Sequence, residues 1–321
     1  MTPTREQELA VLRSVVYASL FDYPLTLPQL CATLVEVRAD EHTVAGWWRH
    51  SHFLQSAIEQ RDGLYFPAGR RDLIATRTRR ETLSRDLLDR EHRLLSLVSG
   101  MPFVRMVAVS GSLAHLNAET SADLDLFVIT APHRVWSVTL SVLVIARLLG
   151  WRRRMCLNYV ISEDALAIAP QDLFSANQII HLRPITGHDV FAAFIDANPF
   201  VRALYPNFVV PKTQDPRPRT QDPGPKTQDP GPKTQDPRPK TLIERVLSVG
   251  VAPLFESMSR WIYRRHLARK AWSWQSRDQV RLEPECLKLH TTSHRADTMA
   301  RFEIAMARAL DSRREPAAAA R

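Results

Sequence analysis

Residues 212–241 carry four tandem heptads of the form basic-Thr-Gln-Asp-Pro-(Arg or Gly)-Pro. Two prolines in every seven positions remove backbone donors and clash with helix interiors, so neither helix nor sheet runs through them. The period is too short and too polar for a solenoid, which needs an apolar face to stack on its neighbours. The segment reads as an extended, disordered Pro-rich linker. Any packed core must therefore come from the residues before it and the stretch 242–321 after it.

Charge divides along the same boundary. The chain of 321 residues has a formal net charge of +9, but residues 1–210 hold 21 basic and 21 acidic side chains, 211–240 hold 7 and 4, and 241–321 hold 15 and 9. The excess belongs to the linker and the C-terminal part. Lysine is absent before Lys212, so phosphate contacts in the first 210 residues would come from arginine, backbone N–H groups or a metal. Cys31, Cys156 and Cys286 are too few and too scattered for a disulfide framework, which with the lack of a signal pattern before the first helix predicts a cytoplasmic protein. The apolar run 135–151 is interrupted by Arg147 and too short for a membrane span, so no transmembrane segment is expected.

The first 70 residues predict helices over 5–21, 27–35 and 41–59, then a polar turn between strand formers over 61–69. Three helices and a hairpin describe a winged helix-turn-helix. Its usual role, placing the third helix in DNA, is not favoured here, because residues 1–70 carry 6 basic and 8 acidic side chains. A structural or protein-docking role is preferred. Residues 71–99 predict a long amphipathic connecting helix whose arginines alternate with acids, an ion-paired face rather than a phosphate site.

Residues 100–210 alternate strand and helix patterns, an α/β core. Within it a strand-like run to Ser110 meets Gly111-Ser112-Leu113, and ten residues later Asp123-Leu124-Asp125-Leu126-Phe127-Val128 follows. Residues two apart on a strand share a face, so Asp123 and Asp125 are expected to stand together. Two such carboxylates repel unless a cation lies between them, and oxygen ligands suit Mg²⁺ or Mn²⁺. Gly111 frees the backbone to approach a phosphate, and Ser112 offers a hydroxyl at a helix start.

An apolar strand, Gly-Ser, a gap of about ten residues and Asp-Leu-Asp in a second strand together resemble the signature of the DNA polymerase β-like nucleotidyltransferase superfamily. The resemblance covers residues 100–165. It implies a mixed sheet flanked by helices, Mg²⁺ or Mn²⁺ on Asp123 and Asp125, a nucleoside triphosphate as substrate, and transfer of its nucleoside monophosphate to a hydroxyl on RNA, a protein or a small molecule. The winged module with its Leu20-Phe21-Asp22-Tyr23-Pro24-Leu25-Thr26 phrase also resembles a bacterial arrangement in which such a module precedes the transferase domain. Family members add a third carboxylate on the next strand. Here that strand, 156–161, offers Asn158, which can ligate a metal but cannot take a proton, with Glu163 just beyond it. The alternatives are a catalytically impaired nucleotide sensor or scaffold, and a winged-helix regulator.

After the linker, residues 242–321 predict a helical C-terminal region with helices over 242–269 and 296–313. Trp261, Trp272 and Trp274 lie among Arg260, Arg264, Arg265, Arg269 and Lys270, a mixture suited to RNA, anionic lipid or a partner. A helical cap with packed aromatics is preferred. Cys286, His290 and His294 are spaced four apart, yet Pro284 unsettles a helix there and no zinc site is expected.

Overall fold

A computed structural model describes residues 2–211, 244, 252–276, 280–289 and 294–311, apart from the side chains of Asn158 and Ala252. The heptads lie outside the described residues. The chain forms an α+β architecture with one small antiparallel sheet and one larger mixed sheet. No helix among the described residues is long and apolar enough to cross a membrane.

The N-terminal part runs α1 (Arg5–Ser19), β1 (Leu25–Thr26), α2 (Leu27–Ala32), α3 (Glu41–His50), α4 (His52–Ala57), β2 (Ile58–Arg61) and β3 (Leu64–Pro67). Thr4 and Gln7 close a capping box at the start of α1. The helix expected over 41–59 is two helices. Ser51 turns extended and its hydroxyl accepts from Leu54 N at 3.1 Å, ending α3 and capping α4. The turn between β2 and β3 is Asp62-Gly63, both at positive φ, the two-residue hairpin form that suits strand twist. The strands order β1-β3-β2.

Helix α5 (Asp72–Gly100) connects this part to the larger sheet. Two of its arginines act as clamps. Arg77, almost buried, donates to Pro24 O and to Gln29 Oε1 (2.9 Å) and lies over the Tyr23 ring, while Arg80 reaches Phe21 O (3.1 Å), Asn117 Oδ1 (3.3 Å) and Glu119 (2.7 Å). The Phe21–Pro24 turn is thereby fixed against the segment that follows the Gly-Ser motif.

The larger sheet orders β7-β4-β5-β6-β9-β8, from β4 (Val104–Ser110), β5 (Leu124–Thr130), β6 (Met155–Ser162), β7 (Arg183–Thr186), β8 (Val280–Leu282) and β9 (Cys286–Leu289). Among the described residues only β5 and β6 run parallel, joined by α7 (Val135–Leu148). Period-two alternation divides the core: Val107, Val109, Leu126 and Val128 face α5 and α7, and Met106, Ala108, Phe127 and Ile129 face the Phe191-Phe194 side of α9 (His188–Asp196). α8 (Leu173–Ile180) and α10 (Phe200–Leu204) lie on that second side.

The C-terminal region is not only helical: α11 (Ala252–Ala268) is followed by the β8–β9 hairpin, which adds to the sheet beside β6. Cys286 is therefore on a strand, and helical spacing does not join it to His294; His290 lies outside the described residues. Strict alternation does not run through 156–161, the strand expected to offer Asn158. The register slips between Leu126↔Leu157 and Phe127↔Tyr159, so Asn158 is an extra residue, and Leu157 and Val160 pack on the same side. Finally, α12 (Arg295–Asp311) returns to the N-terminal part, with Phe302 edge-on to Tyr17 at 5.4 Å.

Candidate functional site

Ser110 ends β4 directly opposite Asp125 on β5, and Asp125 faces Cys156 across the parallel pair with β6. The side chains flanking Asp125 in the sheet are thus a serine and a cysteine, not a third acid. The chain then leaves β4 through Gly111 at φ +65°, where a β-carbon would lie 2.5 Å from Asp125 Oδ2. The left-handed backbone favours glycine, and a side chain there would push the Asp125 carboxylate aside. The helix that Ser112 was expected to begin is a single turn, α6 (Gly111–Ala114).

Two cavities meet at this point. The larger, about 430 Å³, is bounded by Gly111, Ser112 and Asp125 and by an aromatic and amide wall that includes Tyr17, Phe174, Tyr205, Asn177 and Gln178. α1, the loop after β1's helix α2, α8 and α12 all contribute, so the N-terminal part and the C-terminal helix build the wall together. Tyr17 Oη is buried with no hydrogen-bond partner among the described residues, a polar atom suited to a ligand's donor or acceptor. The smaller cavity, about 130 Å³, shares Gly111, Asp125, Phe174 and Gln178 and is also lined by Lys288 and Arg295.

Gly111, Ser112 and Asp125 come together as expected from the sequence. Asp123 precedes β5, which begins at Leu124, and it is exposed and does not line either cavity. The alternation argument holds inside a strand and loses its basis one residue before it. Asn158 sits at the bulge of β6, and its side chain is outside the described residues. Glu163 follows the opposite end of β6, where it pairs with Arg105 at 3.5 Å, and is not a candidate base. Among the described residues no group of three or more His, Cys, Asp or Glu side chains is placed to hold a metal ion.

Lys288 and Arg295 were missed by sequence reasoning. Lys288 pairs with Tyr159 across β6 and β9, its ammonium 5.4 Å over that ring, with no carboxylate at salt-bridge distance among the described residues. Burial, with Arg281 adding to it, holds its ammonium below the usual lysine range. Arg295 donates from Nε to Asp172 Oδ2 at 2.7 Å, the same carboxylate that caps α8. The only available signal was that the chain's lysines all follow residue 211, which says nothing about a hairpin returning to the sheet.

No protein-family model matches the chain, and neither a curated protein nor a solved structure is significantly similar to it.

His115 and His181 also line the larger cavity, stacked with ring centroids 4.0 Å apart. Burial holds His115 well below the ordinary imidazole value, and the neighbouring His181 lowers it further; burial likewise lowers His181. In the unfolded chain both would take up protons near pH 6.5. The unfolded state therefore binds more protons below that pH, so the contribution of these neutral rings is complete above it and is lost as the pH falls, by up to about 1.4 kcal/mol per unit for each ring. Urea denaturation at pH 7.5 and 5.5 is expected to show that loss, and H115F to reduce it. An unchanged pH dependence in the variant would contradict the placement of His115 against His181 in the cavity wall.

Proposed function

We propose that this chain is a metal-dependent nucleotidyltransferase of the DNA polymerase β-like type, carried on a winged helix-turn-helix module, that moves a nucleoside monophosphate from a nucleoside triphosphate to a hydroxyl of RNA, protein or a small molecule. The observation that carries it is the contact of Gly111 with Asp125 at the paired ends of β4 and β5, opening onto both cavities. A Mg²⁺ or Mn²⁺ ion commonly sits on one or two carboxylates and completes its shell with substrate phosphates and water. Asp125 fits that mode, with Asp123 as the second acid and the Asn158 amide as a further oxygen. Bound there, the ion would neutralise charge on the triphosphate.

The chain's own groups supply the rest. Ser112 offers a hydroxyl to phosphate oxygens. Lys288 and Arg295 bring positive charge to the small cavity, where a phosphate chain beside Asp125 would otherwise meet a carboxylate without compensation. The aromatic and amide wall of the larger cavity suits a planar ring with hydrogen-bonding edges. DNA reading by α3 remains disfavoured, since Arg49 and His50 turn back to the Ala45 and Gly46 carbonyls of their own helix.

Calorimetry of Mg²⁺ with a nucleoside triphosphate is expected to give binding that disappears in the double variant Asp123→Ala, Asp125→Ala; equal binding by wild type and variant would reject the site. One observation favours a second reading, a nucleotide sensor or scaffold without turnover: Asp125 is the single carboxylate on the cavity walls among the described residues. Incubation with labelled triphosphate and cell lysate separates the two, because transfer of label that depends on Asp123 and Asp125 excludes a silent site.

A further inference from the structure

α11 is apolar on two faces. Its inner face, with Tyr263 and Leu267, packs toward α7, and Glu256 caps the start of α7 by accepting from Trp136 N (2.9 Å) and Ser137 N (2.7 Å). The opposite face should be polar in a surface helix. Instead Leu254, Phe255, Met258, Trp261 and Ile262 are all exposed, Leu254 at 72% and Trp261 at 65%. Spacings of three, four and seven put these five on one arc. Trp272, just after the helix, is 82% exposed. The preferred cap reading thus holds for Trp274, which packs on the core, and fails for Trp261 and Trp272.

The same arc turns cationic toward its C-terminal end. Arg265 stacks over Trp261 at 5.9 Å, and Arg264, Arg269 and Lys270 are exposed beside it. Arg152, in the turn after α7, adds its charge here: Arg152, Arg269 and Lys270 all act on the His266 imidazole. None of Arg264, Arg265, Arg269 or Lys270 meets a carboxylate among the described residues.

We infer that this face is a peripheral docking surface for an anionic lipid bilayer, α11 lying in the interface with Trp261 and Trp272 at headgroup depth. An apolar arc ending in arginines, with tryptophans at the boundary, is the pattern of an interfacial helix. Charge decides against the other occupants. A second copy would bring like charge to like charge. The heptad linker, with 7 basic and 4 acidic side chains over 211–240, is itself cationic. RNA answers the arginines and tryptophans but leaves Leu254, Met258 and Ile262 facing water, since stacking platforms use aromatic rings rather than aliphatic side chains. A bilayer answers both. The surface stands independently of the nucleotide site.

The full chain is mixed with vesicles of phosphatidylcholine alone and of phosphatidylcholine with one third phosphatidylglycerol, and bound protein is measured by flotation. Binding is expected only with the anionic vesicles, with a blue shift of tryptophan emission and weakening as salt is raised. R264Q with R265Q and R269Q is expected to lower partitioning by about fivefold for each charge removed. W261S with W272S, both at exposed positions, is expected to remove the blue shift while the far-ultraviolet circular dichroism stays unchanged. Absence of binding to anionic vesicles overturns the proposal. So does tight binding of an RNA oligonucleotide without vesicle binding, or a dimer in sedimentation that the tryptophan variant dissociates.

Discussion

Asp125→Asn should weaken metal-dependent triphosphate binding by about a hundredfold or more, with Asp123→Asn producing the smaller loss. The substitution keeps size and shape and removes only the charge of the side chain that lines both cavities. Asn in place of Asp also keeps the space beside Gly111 filled, so the turn after β4 should survive and thermal unfolding should stay close to wild type. Asp123 is exposed one residue ahead of β5, so any contact it makes with the ion comes from the rim. Calorimetry of the two single variants with Mn²⁺ and a nucleoside triphosphate measures the order directly. A wild-type affinity in Asp125→Asn would mean that the ligand does not bind at the Gly111 turn.

Gly187→Ala is expected to cost about 3 kcal/mol of stability or more, with no effect specific to the ligand. Gly187 lies between β7 and α9 at φ +71°, and a β-carbon there would be 2.1 Å from the Arg105 carbonyl oxygen and 2.9 Å from Met106 Cα. Backbone cannot rotate away as a side chain can, so β4 and the start of α9 would have to separate. That separation disturbs the packing of Met106 and Ala108 against Phe191 and Phe194. Urea denaturation measures the loss, and a change below about 1 kcal/mol would contradict this close approach.

Much of the element order is legible in the sequence because it depends on local terms. The apolar spacing of α1, the run of α5 and the apolar strands β4, β5 and β6 all stand within a few residues of their expected bounds. Breaks between them follow side-chain chemistry, as at Asp62-Gly63. Errors arise where a local rule meets a non-local one. Ser51 divides one expected helix into two by capping the second. The bulge at Asn158 comes from the register of β6 against β5, which no alternation inside β6 reveals. β8 and β9 are short and sit beyond a long repeat, and only the exposed edge of β6 gives them a partner.

The candidate site divides in the same way. Sequence by itself determined the Gly111-Ser112 turn and Asp125, because a strand end, a residue tolerant of positive φ and a carboxylate inside an apolar strand are each written in consecutive residues. It also determined that the excess positive charge lies after residue 210. Only the tertiary structure decided where that charge goes: Lys288 and Arg295 to the cavity, and Arg264, Arg265 and Arg269 to an exposed apolar helix. It decided too that Asp123 stays outside both cavities and that Tyr17, His115 and His181 meet on the wall of one of them. The physical reason is chain connectivity. Contacts within a few residues are fixed by backbone geometry and side-chain type, whereas Lys288 comes to line the same cavity as Asp125 only after the sheet has assembled from segments separated by the heptads.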